Sequence, residues 1–390
     1  MPAAFKAISR GAPRPGASPD SKSERAAKGR EAALSKLRSL LARVKLGTLV
    51  HLHLRHGHGT SADGSTDIDY NQFAVGRGYL DVRISPSNWL EARVTPDVSQ
   101  DMQGDLKLRL KYLFAKLRLP LETSYLSEPY LELGMVDIPW TGFEEQLNAY
   151  RMQGTMFAER QGLFSQTDLG VTVGALLGRK LPDAVARRLS EKRPGAWGSL
   201  AFGVYNGAGF NGVEKNLGKV VEGRLSVRLL GELHPWLVLS YFFIWGRGNQ
   251  APGDTEPFGL PEWRHHQLML SYAHPLFVAT GQFISGKGRQ KGEGSAWVST
   301  LDGESSIYRG ASGFVELRLP WIWSSLIARY DWFEGPNPSG AAAYHRLIGG
   351  FAFHFWGRNQ NVLLLDVDWA ILEDVNDQWA VSLTLQVKID

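Results

Sequence analysis

Cysteine is missing from all 390 residues, so covalently attached haem and thiolate-bound metal are both excluded from this chain. Long apolar runs are missing as well. The longest, WLVLSYFFIW at 236–245, is about half the length a membrane helix needs. Helical membrane spans are thereby excluded, but a β-barrel is not, because its strands need only about ten residues each. Neither G-x-S-x-G nor C-x-x-C-H occurs, so the motifs of a serine hydrolase and of a c-type cytochrome are lacking.

Acidic charge is scarce at one end only. The formal net charge is +4, yet residues 1–45 hold eleven Lys/Arg against three Asp/Glu, leaving 4 − 8 = −4 for the remainder. The basic character therefore belongs to an N-terminal tail, 1–45, and the body, 46–390, is mildly acidic. The tail contains the Gly/Pro/Ser-rich GAPRPGASPDSKS, whose composition predicts disorder. EAALSKLRSLLARVK follows, where Leu34, Leu37, Leu41 and Val44 predict a short amphipathic basic helix. No secretory apolar core precedes it, which fits either a leader removed or replaced or a misplaced start.

What the body has is a period of two. TLVHLHLR (48–55), YLDVRI (79–84), WLEARV (89–94), LKLRLKYLFAKLRLP (106–120), EGRLSVRLL (222–230), QLMLSY (267–272), FVELRL (314–319) and WAVSLTLQVKI (379–389) all alternate apolar and polar residues. Counted along the chain they give about sixteen strands of about eight to twelve residues, as in an outer-membrane barrel. Connections alternate too. SPSN (85–88), HP (274–275), PWIW (320–323) and GRNQ (357–360) are short, whereas 56–71, 138–166, 246–262 and 286–311 are long. One basic insert, 178–195, stands on the short-turn side. Trp89, Trp197, Trp236, Trp263 and Trp379 open strands and Trp245, Trp332, Trp356 and Trp369 lie near strand ends, the placement of two aromatic girdles. The expected fold is thus an all-β transmembrane antiparallel barrel of about sixteen strands, closed so that its apolar ribbons have no free edge.

In such a barrel Leu106, Leu108 and Leu110 face lipid while Lys107, Arg109 and Lys111 face water. The parity slips after Phe114, which predicts a bulge near Ala115. The same parity turns His51, His53, Arg55, Arg83, Arg93, Arg224 and Arg228 inward, relieved in the first four strands only by Asp81 and Glu91. Opposite them Asp331, Asp366 and Asp368 also point inward, with Arg329 and Arg346. Sixteen strands enclose more space than wall side chains fill, so a water-filled channel is expected, its selectivity set by wall charge and by whatever narrows it. The long connection 138–166 is rich in aromatics and needs something to pack on. Folded inward as the third long loop, it forms the constriction, with Arg151, Glu159 and Arg160 at the narrowest point.

GMVDIPWTGFEEQLNAYRMQGTMFAERQGLFSQTDLGVTVGALL (134–177) and GSLAFGVYNGAGFNGVEKNLGKVVEGRLSVRLL (198–230), with FAER, TDLGVTVG and VYNGAGFN leading to VEGRLSVR, resemble the phosphate-selective porin O/P family over roughly 46–390. The resemblance implies an outer-membrane porin, a homotrimer, with the third loop inward and small anions passing arginines and a lysine cluster. Here the loop offers Arg151 and Arg160, and no lysine occurs between 138 and 166. The chain ends QVKID, where barrel chains commonly end on an aromatic. The implied partners are outer-membrane lipid and small hydrophilic solutes, with no cofactor and no nucleic acid. His51 and His53 share a face and would need a third ligand to hold a metal, so no metal is assigned. Two alternatives stay open: a barrel that sheathes a partner such as an electron-conduit cytochrome, and an outer-membrane hydrolase.

Overall fold

A computed structural model of the chain describes residues 27–31, 34–35, 38–39, 41–60, 67–100, 104–190, 194–336, 343–373 and 376–389. The strands are β1 (Val44–Thr60), β2 (Asp67–Ile84), β3 (Leu90–Gln100), β4 (Leu106–Arg118), β5 (Leu126–Asp137), β6 (Thr167–Leu177), β7 (Gly198–Tyr205), β8 (Val220–Arg228), β9 (Leu237–Arg247), β10 (Glu262–His274), β11 (Phe277–Lys287), β12 (Ile307–Leu319), β13 (Ser324–Glu334), β14 (Ala343–Trp356), β15 (Asn361–Leu372) and β16 (Gln378–Ile389). Each pairs with its sequence neighbours, and β16 returns to β1 to close the barrel. The closing seam runs in unbroken register from Thr48 opposite Ile389 to His58 opposite Trp379.

The alternation places the faces. On β15, Val362, Leu364, Asp366, Asp368, Ala370 and Leu372 are buried, and Leu363, Leu365, Val367, Trp369 and Ile371 are exposed. Carboxylates on the enclosed face and an unbroken apolar set on the outer one invert the order of a soluble protein. Lipid takes the apolar side of such a transmembrane barrel. Leu268 lies mid-strand in this belt. Leu268→Arg should therefore cost about 2–4 kcal/mol, while Leu268→Met, near in volume, should cost less than about 1.5 kcal/mol. Guanidinium unfolding in detergent micelles measures both, and equal midpoints would refute the face assignment.

Several expectations need correction. The parity slip lies earlier than Ala115. Thr95 opposes Tyr112 and Pro96 opposes Leu110, so Lys111 is the extra residue. Pro96 has no N–H to give the ladder, and the pairing breaks beside it. Lys111 and Tyr112 consequently both turn inward, and Leu113 resumes the outer face. Residues 56–60 and 67–71, assigned to a long connection, are strand. Trp263 belongs to neither girdle: it is fully buried among inward aromatics.

The chain divides into residues Met1–Val44 and Lys45–Asp390. In the first unit 27–31, 34–35, 38–39 and 41 are helical, with Leu34 and Leu41 exposed. Val44 opens β1 rather than closing this helix, and Leu37 and the GAPRPGASPDSKS segment lie outside the described residues. The 178–195 insert carries a short helix, Asp183–Ala186. It buries Leu181 and accepts bonds from Arg228 (to the Gly195 carbonyl, 3.1 Å) and Arg318 (to Ser190 Oγ, 3.4 Å).

Candidate functional site

The loop 138–166 lies inside the barrel. Its neck is tied by Ile138 N–H donating to the Gln166 carbonyl (3.1 Å) and by Thr141 Oγ1 donating to the same oxygen (3.0 Å). Beyond the neck come a helix, Thr141–Leu147, a 3₁₀ turn, Arg151–Gln153, and a further turn of helix, Phe157–Arg160. Trp140 stacks on Phe242 of β9 with centroids 5.5 Å apart, Phe164 meets the same ring edge-on, and Phe157 meets Phe333 of β13. Phe157 reaches the wall because Gly310 of β12 has no side chain: a Cβ there would stand 2.8 Å from its ring. Glycine at 154 is required by a φ of +137° and by Arg160, whose guanidinium occupies the space a Cβ would take.

Polar contacts finish the seat. Arg224 donates to the Pro139 carbonyl (2.8 Å), Gln282 to Glu144 (2.8 Å), Arg329 to the Thr155 carbonyl (3.2 Å), and Tyr150 to Glu316 (2.8 Å). Phe164 also meets His265 of β10 edge-on, so the loop leans on β8–β14. Inward apolar residues on those strands, Phe242, Ile244, Met269, Ile284 and Phe333, form one core with it. This explains the run WLVLSYFFIW: β9 is apolar on both faces because lipid takes one and the loop takes the other.

Two charge clusters flank the loop. In one, Arg151 is held by Glu159 through two bonds (2.6 and 2.7 Å) and by Glu145 (2.6 Å). Burial acts to raise the Glu159 carboxyl, but the Arg151 guanidinium outweighs it and, with help from Lys111 and Arg77, holds it below the ordinary range. In the other, Asp331 accepts from Arg329 (2.8 Å), Ser312 (2.6 Å) and Arg160 (3.4 Å), and Arg346 pairs with Asp368 (2.6 Å). Burial and the nearby Arg346 and Arg329 press the Arg160 guanidinium downward. Asp366 is buried on the same face, two residues from Asp368.

The inward cations of the first strands are compensated more fully than parity alone suggests. Asp81 accepts from both Arg83 (2.7 Å) and Arg93 (2.6 Å). Asp97, an inward carboxylate that the count of Asp81 and Glu91 omitted, pairs with Arg109 at 3.1 Å. Its signal was present in the alternation of β3. His51 bonds Gln386 (2.9 Å) and His53 bonds Thr384 (2.8 Å), both across the closing seam. Lys107 is exposed. Arg228 ties the Gly195 carbonyl of the insert and the Pro235 carbonyl of the β8–β9 turn, and Arg224 holds the loop neck. By contrast Arg55, Arg77 and Lys111 carry no ion pair among the described residues. They stack on Tyr70 (5.9 Å), Tyr79 (5.1 Å) and Phe210 (4.9 Å). Arg77 was missed because the strand, which begins at Asp67, was read as starting only at Tyr79.

Ser325 and His354 lie 3.1 Å apart beside Tyr150 and Glu316. Asn359 N–H donates to His354 Nδ1 (3.3 Å), which leaves the ring proton on Nε2, facing the hydroxyls. In that tautomer the imidazole cannot take the serine proton.

No protein-family model matches the sequence, and no curated protein matches it. Solved structures do resemble the chain. OmpT of Vibrio cholerae, expressed in the outer membrane, superposes with a TM-score of 0.53 at 9% identity, over 89% of this chain and 97% of its own. The outer membrane channel DcaP of Acinetobacter baumannii gives a TM-score of 0.54 at 11% identity, over 89% and 97%. At these identities the likeness is one of fold: the protein is a closed sixteen-stranded antiparallel barrel, the architecture of outer-membrane barrel proteins.

Proposed function

We propose that the protein is an outer-membrane porin, a water-filled channel for passive diffusion of small hydrophilic solutes with a modest preference for anions. One observation carries this. The inward loop is anchored on β8–β14, so the space beside it is bounded by β1–β4, where Arg55, Arg77 and Lys111 make no ion pair among the described residues. Fixed charge on the wall of a narrowed pore sets its selectivity. A preference for phosphate in particular is not favoured, because both loop arginines are already engaged, Arg151 by two glutamates and Arg160 by Asp331. A loop filling one side of the bore argues against a sheath for a folded partner. The tautomer of His354 argues against a hydrolase.

Purified protein in a planar bilayer should give open, ion-selective conductance steps, and a silent barrel would refute the channel. Homotrimerisation belongs to the same proposal. On β14, Gly349 lies on the outer face with open space around it, where a neighbouring chain could pack closely, whereas Gly350 turns inward beside Asp366. Crosslinking in native membranes should trap three chains. A single chain that is monodisperse in mild detergent and uncrosslinked in membranes would remove the trimer.

A further inference from the structure

The outer face of β9–β12 is asymmetric from end to end. At the long-loop end Arg247, Arg264, Lys287 and Arg309 point outward from four neighbouring strands, with side chains 50%, 47%, 28% and 60% exposed. At the short-turn end the outward residues of the same strands are Leu237, Leu239, Leu270, Tyr272, Phe277, Ala279, Val315 and Leu317. Arg264 and Lys287 are directly opposite one another in the ladder, an arrangement of like charges that disfavours the sheet unless an anion lies between. Glu262 partly meets this need, shared by Arg247 (3.9 Å), Arg264 (3.0 Å) and Lys287. Glu334 takes Arg309 (2.8 Å), and Glu304 comes to 3.9 Å from Lys287. Trp245 and Trp332 lie under Arg264 and Arg309 at cation–π distance (5.6 and 5.8 Å).

Directly along these strands the outer wall is hollow. A groove of about 440 Å³ is lined by Leu268, Leu270, Gly281, Phe283, Ala311 and Gly313, among others. Gly281 and Gly313 face each other across the ladder. A Cβ on Gly281 would touch nothing within 4 Å, and one on Gly313 only a carbonyl at 3.9 Å. Leu268, Phe283 and Gly313 each lie four residues from the cation of their own strand, about 13 Å at the strand rise. Cations at the girdle with an apolar groove beneath them match a phosphorylated headgroup joined to an acyl chain.

We propose that β9–β12 carry a specific site for a phosphorylated lipid of the leaflet facing the long loops, its phosphate between Arg264, Lys287 and Arg309 and one acyl chain in the groove at Gly281 and Gly313. The site rests on the barrel fold and not on what the lumen conducts.

The test is native mass spectrometry of the detergent-purified protein titrated with lipid A bearing two phosphates, with the same lipid dephosphorylated, and with inorganic phosphate. Saturable binding of the phosphorylated lipid is expected, at least tenfold tighter than either control. Arg264→Gln with Arg309→Gln should weaken it about tenfold or more, and Gly281→Leu with Gly313→Leu should do the same by filling the groove. An unchanged guanidinium unfolding midpoint in detergent micelles would show that the barrel remains intact in both variants. Equal binding of the dephosphorylated lipid, retention by both variants, or a change in the number of associated chains on filling the groove would overturn the site.

Discussion

Arg151→Ala is expected to loosen the inward loop and shift the channel toward cations. The guanidinium is 7% exposed and satisfies two carboxylates at once, Glu159 through a two-bond fork and Glu145 at 2.6 Å. Removing it leaves two negative groups unpaired in a partly buried site. Breaking one buried pair in this way costs about 3–5 kcal/mol, more than a single aromatic contact in the loop's seat returns. Electrically, the variant removes one positive charge from the constriction and uncovers two negative ones. The Cl⁻/K⁺ permeability ratio from zero-current potentials should therefore fall, and single-channel records should show added flicker. Arg151→Lys keeps the charge but not the planar fork, so it should fall between the two. Arg151→Ala combined with Glu159→Gln should recover part of the loss. The same pairing makes the seat sensitive to acid. With its carboxyl held below the ordinary value of 4.5, Glu159 contributes fully above that value and loses its contribution as pH falls through the depressed one. A variant with wild-type noise and selectivity would mean that the Trp140, Phe157 and Phe164 contacts hold the loop by themselves.

The faces were legible in the sequence because side-chain direction in a strand has a period of two and lipid demands an unbroken apolar set on one side. Leu363, Leu365, Val367, Trp369 and Ile371 against Asp366 and Asp368 need no structure to be sorted. The inward loop was legible for a similar reason, since an aromatic-rich connection of that length has few places to pack. What it packs on was not. Phe242, Ile244 and Trp263 were open to assignment as lipid contacts or girdle until the loop was seen to cover them, although β9, apolar on both faces, already carried the signal.

Pairing was the least legible part. Parity tells which side Arg83, Arg93 and Arg109 occupy, but a partner such as Asp81 or Asp97 depends on register between strands. Register at β3–β4 is displaced by the break at Pro96, so a periodic count carried past Lys111 misplaces the slip. A list of inward cations therefore overstated the uncompensated charge. Of the wall residues picked out by spacing, Arg93, Arg109, Asp331 and Asp368 are ion-paired, and Arg228 holds a turn.

The largest change in selectivity without damage to the fold should come from the inward cations that make no ion pair among the described residues. Arg55, Arg77 and Lys111 make no ion pair among the described residues, so replacing all three by Gln breaks none and should leave assembly intact. It removes three positive charges from the wall that bounds the pore beside the loop. Wall charges act over about a Debye length, roughly 8–10 Å at physiological salt, which is comparable to half the width of a constricted channel. The triple variant should lower the Cl⁻/K⁺ ratio severalfold in dilute salt, and the difference should shrink at about 1 M, where screening shortens that reach to about 3 Å. Arg93→Gln makes the contrast: it removes one positive charge, but it takes from Asp81 one of its two guanidinium partners, so its effect should come with weaker heat resistance of the folded barrel. Cation preference in the unmodified protein, or a triple variant with an unchanged ratio, would leave the barrel a channel and remove its anion preference.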